Sequence, residues 1–439
     1  MNNPNDRLRM TRNGPALTLS PHARAGQRRY AAATPMQVGP DTAALIVGRE
    51  AVGGRALDFA DGAEAILFDR LDRIDPAGAL VLSENSEETN PHNGERVLMI
   101  KFPFAGGFVP FGARRLDGTP HPHAGTGFLV TVTHGIPLRL LEGEGGLDGR
   151  WAKDRDLFRQ IELLQVSFDG ARLAVTGREL MGFKELLPGF TVFNRGLGFV
   201  PDGDDLLLPM QGARDADDRQ WATNVGCQCL RWRRGKEGWR PGESSPATGE
   251  INAFEPTIVR DLDGSLLMTA RQTGPEVPEK FSVFIWRSTD GGRCWAKVLE
   301  RPRTRAESPV TLNVAPDGTP FVAANLLTPN LSPRGGFGYW REILALWPLS
   351  ADRTKLEKPA IVRCAGFEWG PAASDFGWSI DHPIGARLRL ADGGWHSVLC
   401  WRGMDRGETG AALPPTPHTG TYVEEVFSNG PDAPPPWRF

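Results

Sequence analysis

Four stretches of the chain follow a single plan, and that repetition limits the fold more than any other feature. They are "FNRGLGFVPDGDDLLLPMQG" (193–212), "FEPTIVRDLDGSLLMTARQT" (254–273), "ESPVTLNVAPDGTPFVAANL" (307–326) and "DHPIGARLRLADGGWHSVLCWRG" (381–403). Each opens near a polar or charged residue, runs into an apolar strand, turns at Asp-Gly and returns as a second apolar strand. Asp-Gly supplies the left-handed backbone that a tight hairpin needs. The turn aspartates are Asp202, Asp263, Asp317 and Asp392, spaced 61, 54 and 75 residues apart. That interval fits one four-stranded antiparallel sheet per repeat, with the quoted hairpin as its two inner strands. Weaker hairpin signals at "LDFADGAEAILF" (57–68) and around "GTGFLVTVTHGIPL" (125–138) leave room for two earlier sheets. The predicted fold class is all-β, a β-propeller of six blades; seven would make each blade short. The expected organisation is a tail over 1–40, a propeller over 41–430 and a second tail over 431–439. Only "DRDLFRQIELLQV" (154–166) carries a helical stripe, and its second half reads equally well as a strand.

Within the second repeat, "FSVFIWRS" reads as a third strand and "CWAKVLE" as a fourth. The turn between them needs a side chain to cap its own amides, glycine where φ is positive, and a large apolar plug. Asp290, Gly291 and Trp295 supply these. The spacing S-x-D-x-G-x-x-W from Ser288 to Trp295 resembles the Asp-box repeat of the sialidase superfamily. The resemblance implies a sialidase-like propeller in which this turn stabilises a blade, away from the chemistry. "SFDGARL" (167–173) is a degenerate relative one residue short, and "RWRRGKEGW" (231–239) holds the matching place without the aspartate.

In a propeller the inner strands run along a central channel. The residues entering them therefore share one rim, and the Asp-Gly turns share the other. Arg195, Glu255, Glu307 and Asp381 with His382 enter the strands; Gln211, Arg271 and Arg402 leave the returning strands at the same rim. Apolar blades have no structural use for such a polar funnel. Here the resemblance becomes residue-specific. "NAFEPTIVRDLDGSLLMTAR" is similar to the sialidase segment in which a glutamate precedes the strand and an arginine ends the hairpin. It implies that Glu255 polarises a nucleophile and that Arg271 belongs to a triad binding the substrate carboxylate. Arg195 takes the first arginine place, with Gly196-Leu197 where the family has Ile-Pro, and Arg341 in "GYWREILALW" the third. The acid/base aspartate that follows the first hairpin falls among Asp215, Asp217 and Asp218, with Asp217 the expected one. Where the family places its tyrosine nucleophile this chain has His382; its tyrosines are Tyr30, Tyr339 and Tyr422, of which Tyr422 is placed to close the ring.

Composition narrows the partners. Lys+Arg number 50 against 53 Asp+Glu, a formal charge of −3, which offers no concentrated basic face for nucleic acid. The polar, basic N-terminal stretch lacks the apolar centre of a secretory signal, and no run is long enough to span a bilayer. A cytoplasmic protein without membrane contact is the expectation. Five scattered cysteines form no zinc-type double pair and read as buried reduced thiols. No metal or cofactor is called for. The expected partner is a carbohydrate, and the sequence does not set the oligomeric state.

Three functions fit. The first is a sialidase-like glycoside hydrolase acting exo-fashion on a sialic or uronic acid glycoside. Arg195, Arg271, Arg341 and Glu307 would bind substrate, with Glu255, Asp217 and His382 in the chemistry. A guanidinium grips a carboxylate bidentately, and glycoside cleavage needs two proton-handling groups flanking the bond. The second is a polysaccharide lyase in which a histidine or tyrosine abstracts the proton beside a uronate carboxylate neutralised by arginine. The third is a carbohydrate- or protein-binding propeller without turnover. Plainer structural readings stand beside these. Glu255 and Arg271 can simply pair across the hairpin mouth, Asp215, Asp217 and Asp218 form a loop that would be solvated anyway, and His382, preceding a proline, fits an extended strand entry. His121 and His123 in "TPHPHAG" read as loop histidines, and most of the 13 tryptophans as blade plugs.

Overall fold

A computed structural model describes residues 17–19, 29–50, 60–141, 158–182, 185, 190–194, 197–214, 226–246, 248, 253–272, 281–306, 308–327, 341–364, 378–405 and 420–429. These form antiparallel sheets almost throughout, with one four-residue α-helical turn, Leu138–Leu141, among the described elements. No helix of the described residues is long and apolar enough to cross a membrane.

The sheets resolve into six four-stranded meanders. The first comprises Arg29–Gln37, Ala43–Glu50, Ala60–Phe68 and Leu80–Glu84. The second comprises Arg96–Val109, Thr126–Pro137, Phe158–Phe168 and Leu173–Met181, with Ser86–Thr89 added beside its first strand. A single parallel bridge, Asp61 to Lys101, joins these two into one nine-stranded sheet. In the third, the inner position is split between Phe190–Asn194 and Val200–Asp202, followed by Asp205–Arg214, Gly226–Gly235 and Gly238–Ser244. The fourth is Ala253–Arg260, Leu266–Gln272, Val283–Ser288 and Ala296–Arg301; the fifth is Thr311–Val314, Pro320–Asn325, Ile343–Pro348 and Ala360–Cys364. The sixth is Trp378–Arg389, Trp395–Asp405 and Gly420–Asn429, completed by Leu17–Leu19 from the other end of the chain. Two strands thus lie inside the segment expected to be a tail.

Apolar side chains close these sheets into a ring. Met36 and Ile46 of the first pack with Phe108 and Leu164 of the second. Phe128 of the second stacks on Trp232 of the third, ring centroids 4.0 Å apart. Leu207 meets Ile258, Leu267 meets Val322, and Phe321 meets Phe427, carrying the contact through the fourth and fifth sheets to the sixth. Leu388 and Val398 of the sixth return to Leu45 and Ile66 of the first. Each sheet has two apolar faces, and a ring buries both without leaving an open stack. Polar groups pin the joints. Gln37 reads the Arg389 backbone like a neighbouring strand: its Nε2 donates to the Arg389 carbonyl at 3.0 Å, and its Oε1 accepts from the Arg389 amide at 2.8 Å. The fully buried Arg305 donates to the carbonyls of Gln272, Ser282, Ala306 and Ser308. Four hydrogen bonds to carbonyls offset the cost of burying this charge.

Several sequence expectations shift. Asp61-Gly62 is no hairpin turn: Ala60–Phe68 is one strand, and Gly62, at φ 120°, lies beside an irregularity in its pairing. Thr126–Pro137 is likewise a single strand rather than a hairpin, and Phe158–Phe168 is the strand that the second half of 154–166 also allowed. Asp-Gly serves a bulge as readily as a turn, and only tertiary pairing decides. Cys227, Cys229 and Cys400 are buried, and burial pushes the Cys229 thiol up to about 12; Cys294 lies exposed in the Ser288–Trp295 turn. That turn has the expected geometry. Asp290 Oδ1 accepts from the Arg293 and Cys294 amides and from Ser288 Oγ, while Trp295 packs on the core between the third and fourth sheets.

Candidate functional site

The inner strands of all six meanders line a central cavity of about 670 Å³. It reaches Asp202, Asp263 and Asp317 at the turn rim and extends upward to Thr257 and Ile384. The chemistry-bearing residues lie just past those two, at the opposite end.

Two prolines create the site. In the fourth sheet Phe254 pairs with Arg271 and Thr257 with Thr269, so Glu255 and Pro256 fall out of the ladder. In the sixth, Asp381 pairs with Arg402 and Ile384 with Cys400, so His382 and Pro383 do the same. Proline has no amide hydrogen for the ladder, and a bulge is where a strand tolerates it. Glu255 and His382 both take left-handed backbone, at φ 52° and 53°. The extended strand entry expected of His382 is therefore corrected. Left-handed non-glycine residues cost on the order of 1–3 kcal/mol each and cluster where geometry serves function. The Glu255 amide is held by Gln211 Oε1 of the third sheet at 2.7 Å.

The bends aim the two side chains at one another. Glu255 Oε1 lies 3.7 Å from His382 Nε2, and Glu255 Oε2 lies 3.4 Å from Arg271 Nη1. His382 Nδ1 stands 3.1 Å from Arg402 Nη2 and 3.0 Å from Asp381 Oδ1. Arg402 contacts Asp381 through Nε at 2.9 Å and Nη2 at 3.2 Å, and Arg341 Nη1 reaches the same carboxylate at 2.6 Å. Burial alone would raise the Asp381 carboxyl, yet Arg402, His382 and Arg341 hold it well below the usual carboxylate range. For His382 burial wins: despite Asp381, its imidazole lies below the ordinary histidine value, with Arg402 adding to the depression. A neutral imidazole follows at neutral pH. Nδ1 thus faces both a donor, the Arg402 guanidinium, and an acceptor, the Asp381 carboxylate, while Nε2 faces Glu255.

Of the residues singled out from sequence, Glu255, Arg271, Arg341 and His382 come together, with Asp381 and Arg402. Arg195, Asp215, Asp217, Asp218 and Glu307 lie outside the described residues. Tyr422 is not at the site; it stacks on Trp401 in the core at 4.1 Å. His121 and His123 belong to the loop over the third sheet, His121 Nε2 beside the Gly203 carbonyl at 3.1 Å and His123 against Trp239. Gln211 and Asp381 were noted only as rim positions. Their roles, locking an amide and gathering cations, depend on neighbours distant in sequence.

No protein-family model matches the sequence, and no curated protein matches it. Solved structures do. The sialidase of Trypanosoma rangeli in complex with the inhibitor DANA superposes with a TM-score of 0.51 at 12% identity, over 94% of this chain and 58% of that one. The fold is sialidase-like. A leech intramolecular trans-sialidase complexed with 2,7-anhydro-Neu5Ac gives a TM-score of 0.50 at 12% identity, over 95% of this chain and 70% of that one. The chain thus spans less than two thirds of the trypanosomal sialidase. At this identity the likeness establishes the sialidase-like propeller alone.

Proposed function

We propose that the chain is a glycoside hydrolase acting exo-fashion on a sialic or uronic acid glycoside bound at the rim formed by Glu255, Arg271 and His382. The carrying observation is the convergence of Glu255 and His382, 127 positions apart in sequence, each on a strained bend, to 3.7 Å. Arg271, with Arg195 as its expected companion, would bind the sugar carboxylate. Glu255 takes a proton from water as the water oxygen attacks the anomeric carbon. The bond to the leaving oxygen breaks, and that oxygen takes a proton from an acid that sequence places at Asp217. His382 Nε2, 3.7 Å from Glu255 Oε1, stands beside that carboxylate and keeps it turned to the substrate. This chain has His382 where the superfamily places its tyrosine, and water does the work assigned to that nucleophile.

One observation favours a second reading. A neutral histidine beside a carboxylate, with an arginine to neutralise a uronate, also suits proton abstraction next to that acid group and release of an unsaturated sugar. Chromogenic sialosides and uronides, and uronate polysaccharides, should be offered to the purified protein and to Glu255→Gln. Released aglycone without near-ultraviolet absorbance of an unsaturated sugar supports hydrolysis; that absorbance selects the lyase. Equal turnover by both proteins removes Glu255 from either mechanism, and glycan binding with no turnover leaves a recognition module.

A further inference from the structure

Asp381 has none of its surface exposed, and the hydrolysis just described makes no direct use of it. Its carboxylate nevertheless meets three basic side chains. Arg402 grips it side-on through Nε and Nη2, Arg341 Nη1 approaches at 2.6 Å, and His382 Nδ1 stands at 3.0 Å. A side-on guanidinium joined by a second one is how a protein captures a ligand carboxylate. Here the chain's own carboxylate fills the grip.

We propose that Asp381 is a built-in counter-anion that occupies the Arg341–Arg402 pair in place of a substrate acid group and, through Arg402, positions His382. The proposal rests on reading this rim as a carbohydrate site, and it narrows that reading. Glu255 and Asp381 carry two negative charges against three on Arg271, Arg341 and Arg402, so with a neutral imidazole one net positive charge remains among these groups. That suffices for one carboxylate, and it falls to Arg271, whose contact with Glu255 is the longer one at 3.4 Å. Arg341 changes role: the sequence places it on the substrate, whereas here it braces Asp381. Among the described residues, the charged groups facing His382 from the elements around it are Asp381 and Arg402 of the sixth sheet and Glu255 of the fourth, with Arg271 and Arg341 one contact further out. Removing Asp381 therefore removes the nearest group that favours the imidazolium.

The test combines ligand binding with a titration that needs no turnover. Free N-acetylneuraminate and glucuronate are titrated calorimetrically into wild type, Arg271→Gln, Arg341→Gln and Asp381→Asn. Arg271→Gln should weaken acid binding by about tenfold or more, and Arg341→Gln by less than about twofold, while turnover on any glycoside the enzyme accepts falls in Arg341→Gln at unchanged KM. Asp381→Asn opens the pair, so acid affinity should rise by about tenfold. The His382 imidazole, followed by NMR on histidine-labelled protein and assigned with His382→Gln, should titrate at lower pH in Asp381→Asn. It should titrate at higher pH in Arg341→Gln, a variant that keeps the Arg402–Asp381 grip if Asp381→Asn does not fold. Equal loss of acid binding in Arg341→Gln and Arg271→Gln overturns the proposal, as does a His382 midpoint unmoved in the folded variants. If neither acid binds, the midpoints decide alone. If they move as stated and no glycoside is turned over, the hydrolase reading fails and the counter-anion stands.

Discussion

Glu255 and His382 sit at the same step of two different sheets: each precedes a proline, each has φ near +50°, and their side chains meet at 3.7 Å. A regular strand would send alternate side chains to opposite faces and bring no such pair to the rim. The bulges that proline forces redirect both. The functional proposal depends on keeping those two bends in place.

Gln211 is the first lever on them. Its Oε1 takes the Glu255 amide hydrogen at 2.7 Å in a buried setting. Gln211→Ala removes that acceptor, and a buried donor deprived of its partner costs about 1–3 kcal/mol. Urea unfolding should show that loss, and Gln211→Glu, which keeps an acceptor, should recover much of it. Unchanged stability in Gln211→Ala would mean that the bend holds itself.

Asp290 offers the opposite case, a stabilising side chain with no part in the chemistry. Its carboxylate accepts from two backbone amides and a hydroxyl and is held down to about 2, first by the Cys294 amide. The Gly291 carbonyl accepts from Arg231, which also grips Asp202, so this turn stands on the Asp-Gly rim, opposite the candidate site. Asp290→Ala should cost about 1 kcal/mol, as loss of a capping side chain does elsewhere, with kcat/KM unchanged. A large activity loss in a folded variant would contradict this assignment.

His396 sets a pH dependence. Burial alone would lower its imidazole, but Glu425, 2.6 Å from Nδ1, and Asp392, 3.0 Å from Nε2, hold it above the ordinary value. A group raised in the folded state stabilises fully below its unfolded pKa and loses that contribution as pH rises through the folded value. Asp392 runs the other way. Burial opposes, yet His396 and the Gly394 amide lower it, so its contribution is present above the usual aspartate value and lost as pH falls. These two groups together contribute most between about pH 4 and 6.5, while the depressed His382 imidazole subtracts from stability as pH falls below about 6.5. His396→Gln should flatten the decline above that window; the same decline in both proteins would assign it to another group.

The repeated strand–Asp-Gly–strand plan was enough to read four sheets and their shared rim, because turn chemistry and strand patterning are local. The first two sheets were misread in detail. There Asp61-Gly62 sits inside a strand, the second sheet turns through a long loop at residues 110–125, and the opening strand, Arg29–Gln37, carries a proline and few large apolar residues. Glu255, Arg271 and His382 were legible as residues entering or leaving inner strands. The left-handed bends were not, since the usual preference before proline is extended. Nor was the capture of Arg341 and Arg402 by Asp381, which needs the 40-residue separation between Arg341 and Asp381 to close in space.

A crystal structure with N-acetylneuraminate or glucuronate soaked in tests the central claim most directly. The account predicts the sugar carboxylate on Arg271, with the anomeric carbon facing Glu255 and His382, and Asp381 still gripped by Arg341 and Arg402. A sugar seated instead at the Asp-Gly end of the 670 Å³ central cavity, or on an outer face of the ring, would contradict it.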